Sequence, residues 1–278
     1  MRYMEKSLPI VKVDNLKFGY VKNGILALKG ISLEINQGDF IAILGQNGSG
    51  KSTLVRHFNG LLQPTGGSVM VKGMDTRTTP VSKLAASVGY VFQNPDHQIF
   101  CASVWEEITF GPKNLKLPKD VIEANAKEAL KIMELEGKEN RHPHSLSRGE
   151  RQRLAIATVL AIKPDVIILD EPTGGQDKAR TEKLMKLLQE LNAKGHTIIV
   201  ITHDIELAAE YAQRIVVIFD GGLLLDGDPH AVFLEKEKLR QTFLTVPDIF
   251  AFTHTIGIKV PALSPAQFVE DFRKLKMA

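Results

Sequence analysis

The residues best equipped for chemistry form the run GQNGSGKS, Gly45 to Ser52, which follows the apolar stretch Phe40 to Leu44 and precedes a helix-like segment beginning near Thr53. Strand, glycine loop and helix in that order make a phosphate-binding loop. Glycines 45, 48 and 50 let the backbone turn tightly and point several N–H groups inward with no Cβ in the way. Lys51 then reaches the terminal phosphates of a nucleotide, and Ser52 can hold magnesium. The helix that follows brings its positive end beneath the anion. Gly45, Gln46, Asn47, Gly48, Ser49, Gly50, Lys51, Ser52 and Thr53 are therefore the expected phosphate contacts.

A second constellation lies in VIILDEP, Val166 to Pro172, which reads as a buried parallel strand ending in two carboxylates. Neighbouring strand residues point to opposite faces, so Asp170 and Glu171 should serve different partners. Asp170 is placed to hold magnesium opposite Ser52, and Glu171 to face the water that attacks the γ-phosphate. An acidic start to the next helix would account for one carboxylate but not readily for two. Gln93 ends another short strand before Pro95; its amide oxygen could bind magnesium or water, or it could be a plain turn residue. His203 follows the apolar run TIIVIT, on the edge where open α/β sheets bind ligands. Taken alone it reads more readily as a capping residue for the helix IELAAEYAQR. Ser147 and Gly149 open an apolar-periodic helix whose N-terminus could receive an anion, and Arg148, Arg151 and Arg153 read as its solvated face. Tyr20, near the turn dipeptide Asn23-Gly24, could stack on a base or simply pack.

The elements that must position these groups alternate between strand and helix. Ile10 to Val13 and Ile31 to Ile35 have the two-residue period of half-buried strands, so an N-terminal sheet is expected. LVRHFNGLL reads as a helix ending near Gly60, PTGGSVMVKG as a turn into a strand closing at Gly73, and SVGYVFQNP as a strand that leaves the sheet at Pro95. From about 96 to 163 the pattern is mostly helical, with Ile122, Ala126, Ala129 and Met133 on one face and Lys119, Glu123, Lys127 and Lys131 off it. A helix over roughly 178–194 stops at Gly195, and IVVIFDGGLLLDGD reads as two strands across a Gly221-Gly222 turn. SPAQFVEDFRKL reads as a final helix with Ser264 as N-cap and Phe268, Val269, Phe272 and Leu275 on one face.

Composition narrows the class. The net charge of +3, from 35 basic and 32 acidic residues, gives no argument for nucleic acid. The single cysteine, Cys101, can form no internal disulfide and reads as a small buried hydrophobe. The apolar runs have strand length, and the opening MRYMEKSLPIVKVDN lacks a secretory core, so any membrane association is expected through a partner.

In this order the motifs resemble those of an ABC-type ATPase subunit over about 10–228. GQNGSGKS corresponds to Walker A, Gln93 to the Q-loop, LSRGE to the signature, VIILDE to Walker B, GGQD to the D-loop and His203 to the H-loop. The segment VFQNPDHQIFCASVWEEITFGPKNL resembles the cobalt and energy-coupling-factor (ECF) branch, which powers uptake of vitamins and metal ions. The fold implied is α/β: a P-loop NTPase core with a mainly parallel sheet, an N-terminal antiparallel β subdomain, a helical insertion and a small C-terminal helical extension. Domain limits follow as 8–236, with the helical part at about 96–163, and 237–278 as a dimerisation segment.

The resemblance further implies ATP and Mg2+ as ligands, with two subunits paired head to tail, identical or not. Ser147 and Gly149 would then act on the γ-phosphate held by the partner, and Asp177 would belong to the same composite site. Tyr20 becomes an adenine-stacking residue and His203 a γ-phosphate contact. The region after Gln93 would receive helices of a transmembrane coupling subunit, working with a substrate-binding membrane subunit, at the cytoplasmic face of the membrane. Two departures stand out: Arg148 and Glu150 replace the third and last residues of the usual LSGGQ, and Gln176 stands where leucine is common. The rival readings are another ABC transporter class, or a soluble ABC-type ATPase acting on nucleic acid or ribosomes. The latter usually carry coiled-coil or zinc insertions or a second cassette, none of which is visible.

Overall fold

The computed structural model describes residues 9–21, 24–174 and 176–277. The limits expected at residues 8 and 278, Asn23 of the turn, Gly175 of GGQD and the side chain of Leu275 lie outside the described residues.

Three five-residue strands, β3 (Phe40–Leu44), β7 (Val166–Asp170) and β8 (Thr197–Ile201), are buried along their whole length. They form the centre of a six-stranded sheet with β6 (Val88–Val91), β9 (Arg214–Phe219) and β10 (Gly222–Gly227), in the order β10-β9-β3-β8-β7-β6. All pairings are parallel except β9 with β10. Strand alternation sends successive residues to opposite layers. Val166 and Ile168 pack toward the N-terminal strands, whereas Ile167 and Leu169 pack toward the helices.

The N-terminal layer is an antiparallel sheet, β2-β1-β4-β5, built from β1 (Val11–Phe18), β2 (Leu28–Ile35), β4 (Gly66–Val71) and β5 (Met74–Asp75). Here β1 runs on past Val13, where alternation in the sequence breaks. A bulge at Asp14 and Asn15 inserts one extra residue, and the buried parity resumes at Leu16 and Phe18. The helix after the phosphate loop is short: α1 spans Lys51–Val55, not as far as Gly60. His57 and Phe58 donate to the carbonyls three residues back, which tightens the chain out of the α-helix into turns.

On the other face lie α3 (Val104–Asn114), α4 (Lys119–Ile132) and α5 (Arg148–Leu160); a small α2 (Val81–Ala85) precedes β6, its Leu84 packed on the side of the N-terminal strands. Ile122, Ala126, Ala129 and Met133 are buried as their spacing requires. Arg151 and Arg153 do not form a solvated face: Arg151 pairs with Asp96 at 2.7 Å, and Arg153 donates to the Met133 carbonyl at 2.9 Å. Cys101 is half-buried rather than buried, and burial followed by the neighbouring Glu107 pushes its thiol up to about 11.

Helices α6 (Lys178–Ala193) and α7 (Ile205–Tyr211) complete the wound core, and α6 ends where Gly195 adopts φ 99°. The β9–β10 loop is Asp220-Gly221, since Phe219 pairs with Gly222 and both loop residues have positive φ. Last come α8 (Pro229–Leu234), α9 (Lys236–Gln241), α10 (Asp248–Thr255) and α11 (Pro265–Met277). Phe233, Leu239 and Phe250 pack with Ala42, Leu44, Ile215 and Val217, so this segment closes over the β3–β9 end of the core sheet.

Candidate functional site

The phosphate loop is shaped by what surrounds it. A Cβ on Gly45 would lie 2.2 Å from the Ile218 carbonyl oxygen, and Gly45 itself has φ 147°, so no other residue fits at that position. Lys51 is buried and donates to the carbonyls of Gly45 at 2.7 Å and Gln46 at 2.9 Å. Burial lowers its pKa, while the charges of Glu171 and Asp170 act in the opposite direction. The N–H groups of Gly48, Gly50, Lys51, Ser52 and Thr53 find no acceptor among the described residues, as expected for the first turn of a helix. A ring of free N–H donors beside an ammonium group fits a polyphosphate.

Loop and strand ends open into one cleft of about 300 Å³. Tyr20, Lys51, Ser52, Gln93, Asp170 and Glu171 line it together, with Asn47, Gly48, Gly50 and Thr53. The oxygens of Ser52, Gln93 and Asp170, one hydroxyl, one amide and one carboxylate, match what magnesium accepts when phosphates supply the remaining ligands. Tyr20 is 63% exposed, its ring edge-on to Phe18 and its hydroxyl 2.8 Å from Thr53 Oγ1. It thus presents an open aromatic surface at the rim.

The two carboxylates part where the strand ends: Asp170 is the last residue of β7, and Glu171 follows it in left-handed backbone, outside the strand's alternation. Asp170 accepts a 2.6 Å hydrogen bond from the Tyr90 hydroxyl, on the face of the sheet turned to the N-terminal strands. Glu171 instead meets His203, Oε2 to Nδ1 at 2.9 Å. His203 does not cap the following helix; Asp204 does, accepting from Leu207 N–H at 2.9 Å.

Ser147, Gly149 and Asp177 are not among the residues lining this cleft. Ser147 is the N-cap of α5 in a reciprocal capping box: its hydroxyl accepts from Glu150 N–H, and Glu150 accepts from Ser147 N–H at 2.7 Å. Glu150 also pairs with Lys138, and this pairing, then the bonds to Ser147, hold its carboxyl down at about 2. Asp177 caps α6 by accepting from Arg180 N–H at 2.9 Å. Gly149 borders a larger groove of about 700 Å³ between α4, α5 and α6, which holds none of the phosphate-loop residues. Size does not mark the chemical site here; convergence of donors and carboxylates does.

Sequence reading missed Tyr90 and Arg56. Burial opposes the charge on Arg56, but its polar surroundings, Tyr90 and Asp170 among them, outweigh it and raise its pKa. The signal available was parity: Tyr90 pairs with Ile168 in register, which puts it on the same sheet face as Asp170.

A P-loop with this strand order, two parted carboxylates and a histidine at the next strand end defines a nucleotide-hydrolysing cassette. Residues 28–174 match the family described as ABC transporter, and the chain belongs to the ATP-binding proteins of that family. Within it the chain groups with the energy-coupling factor ATPases. It is 47% identical over 242 residues to the energy-coupling factor transporter ATP-binding protein EcfA of Methanocaldococcus jannaschii, covering 86% of each chain. Among solved structures, cbiO1 of Clostridium perfringens, part of the ABC transporter complex cbiONQ, is 41% identical with a TM-score of 0.75, over 91% of this chain and 100% of that one. The cassette MJ0796, solved as a post-hydrolysis dimer bound to ADP and Pi, is 33% identical with a TM-score of 0.70, over 78% and 98%. Other curated relatives are longer: this chain spans 43% of one of them.

Proposed function

We propose that this chain is the ATP-hydrolysing subunit of an ECF-type importer and that it works as half of a head-to-tail pair. The observation that carries the pairing is the separation of the two half-sites. The phosphate loop, Ser52, Gln93, Asp170 and Glu171 share one cleft, while Ser147 and Gly149 stand apart at the N-terminus of α5. The dimeric state of MJ0796 supports the same reading.

In that pair Lys51 and the loop N–H groups hold the β- and γ-phosphates of ATP. Ser52, Gln93 and Asp170 would hold magnesium, whose charge would offset that of the phosphates. Glu171 accepts the proton of the attacking water. His203, hydrogen-bonded to Glu171 and mostly exposed, is free to contact the γ-phosphate as the subunits close. Tyr20 offers its face to adenine, and Ser147 and Gly149 of the other subunit complete the phosphate shell.

Among the described residues no helix is long and apolar enough to cross a membrane. Coupling to transport therefore falls to a surface. Phe100, 64% exposed, stacks edge-on against Phe110, 43% exposed, beside the segment that follows Gln93. The buried Glu107 fixes that surface by accepting from the N–H groups of Phe100 and Cys101 at 2.9 and 2.7 Å. A transmembrane coupling subunit would dock there, at the cytoplasmic face, and a separate membrane subunit would bind the vitamin or transition-metal ion.

Affinity purification from membranes of the source cell tests this. Recovery with small polytopic membrane proteins, and ATP hydrolysis that depends on Glu171, is the expected result. Recovery with ribosomes and no membrane protein overturns the transport reading.

A further inference from the structure

Tyr90 is buried, lies outside every motif quoted above, and spends its hydroxyl on the metal-facing carboxylate. It stands on β6, its ring edge-on to Phe92 at 4.7 Å, and donates to Asp170 Oδ2 at 2.6 Å. Two elements of the site are thereby linked: the strand leading to Gln93 and the strand ending in Asp170. A carboxylate at a strand end can rotate about its terminal bond. A donor fixed on one oxygen stops that rotation and leaves the other oxygen aimed at the cleft.

We propose that Tyr90 is a positioning residue that fixes the Asp170 carboxylate for magnesium, so that this hydrogen bond sets the affinity of the nucleotide site for the ion. The proposal rests on the reading of Asp170 as the magnesium-facing carboxylate. Groups that orient a metal-binding carboxylate typically change metal affinity by about 10- to 100-fold when removed.

The test is a Mg2+ titration of a fluorescent, non-hydrolysable ATP analogue on the full chain, comparing wild type, Tyr90→Phe and Asp170→Asn, with thermal melting as a check on folding. Tyr90→Phe should raise the Mg2+ midpoint about tenfold or more while leaving metal-free nucleotide affinity unchanged. An unchanged midpoint in Tyr90→Phe with a shifted midpoint in Asp170→Asn overturns the role of Tyr90 and spares that of Asp170. Unchanged midpoints in both variants overturn the Asp170 reading itself. Equal loss of nucleotide affinity with and without Mg2+ in Tyr90→Phe marks a purely structural residue and also overturns the proposal. Should Tyr90→Phe fail to fold, Tyr90→Leu is read in its place: a raised Mg2+ midpoint with unchanged metal-free affinity supports the proposal, and an unmoved midpoint overturns it.

Discussion

The Glu171 carboxylate and the His203 imidazole meet just past the ends of adjacent parallel strands, Oε2 to Nδ1 at 2.9 Å. Glu171 is held for this contact in left-handed backbone, φ 49°, with its N–H donated to the Ile201 carbonyl at 2.9 Å. A residue other than glycine in that region stores strain, and strain of this kind concentrates at functional positions. In the proposed mechanism this contact ties the proton acceptor to the group that would face the γ-phosphate.

Glu171→Gln keeps the shape and the hydrogen bond to His203 but cannot take a proton. ATP binding should persist while turnover falls by about 10²- to 10⁴-fold, the usual contribution of a general base. Phosphate release and equilibrium ATP binding, measured on the same preparation, check this. Undiminished hydrolysis would remove the base assignment.

The charge on Lys51 is costly to bury. Its pKa in the folded protein lies below the ordinary 10.5, because burial disfavours the charge more than Asp170 and Glu171 favour it. The unfolded chain therefore binds more protons at this site, and stability rises with pH between the lowered value and 10.5. Lys51→Met should raise the melting temperature of the ATP-free protein at neutral pH and abolish its stabilisation by ATP. Melting curves with and without ATP decide it; a destabilised ATP-free variant would contradict the sign.

The loop and both carboxylates were legible because phosphate binding demands glycine, lysine and hydroxyl at fixed spacing, and a buried apolar strand leaves its polar end conspicuous. Tyr90 was not, because its partner Asp170 is distant in sequence and the link exists only through the β6–β7 register. The length of β1 was hidden for a related reason: the bulge at Asp14 and Asn15 shifts the parity that alternation depends on. The role of Arg151 and Arg153 was misread because helical periodicity shows which face is polar, not what covers it.

Tyr20 offers a ring to the base and a hydroxyl to Thr53, and the two can be separated. Base–aromatic stacking is worth about 1–3 kcal/mol by alanine substitution. Tyr20→Ala should therefore weaken ATP binding by roughly tenfold or more, while Tyr20→Phe retains most of the affinity. Competition by inorganic tripolyphosphate should be the same in all forms. Equal loss of ATP and tripolyphosphate in Tyr20→Ala would place the residue on the phosphates instead.

Glu150 stands where the usual signature ends in glutamine, and Lys138 offsets its charge. Its carboxyl, lowered from 4.5 to about 2, favours the folded state fully above 4.5 and ceases to as pH falls through 2. Lys138→Met should leave an uncompensated anion beside Ser147 and weaken ATP-driven pairing of subunits, and adding Glu150→Gln should restore it. Light scattering with ATP and the Glu171→Gln background reads both steps. Failure of the double variant to recover would mean that Lys138 acts through packing, not charge.

The C-terminal segment divides into a part that builds the core and a part that faces outward. Leu239 and Phe250 are almost wholly buried against β3 and β9, whereas Phe252 and Val269 are 52% and 47% exposed. Full burial of such side chains is worth about 1.5–3 kcal/mol each, a large share of the roughly 5–15 kcal/mol that holds a domain folded. Ending the chain after Glu235 should therefore lower the melting temperature sharply and expose apolar core. Ending it after Ser264 removes only α11, and should leave melting of the dilute protein nearly unchanged while weakening self-association. Thermal melting and sedimentation of the two truncations separate the roles. Loss of folding in both would make α11 part of the core, and normal pairing after its removal would take the dimer contact away from it.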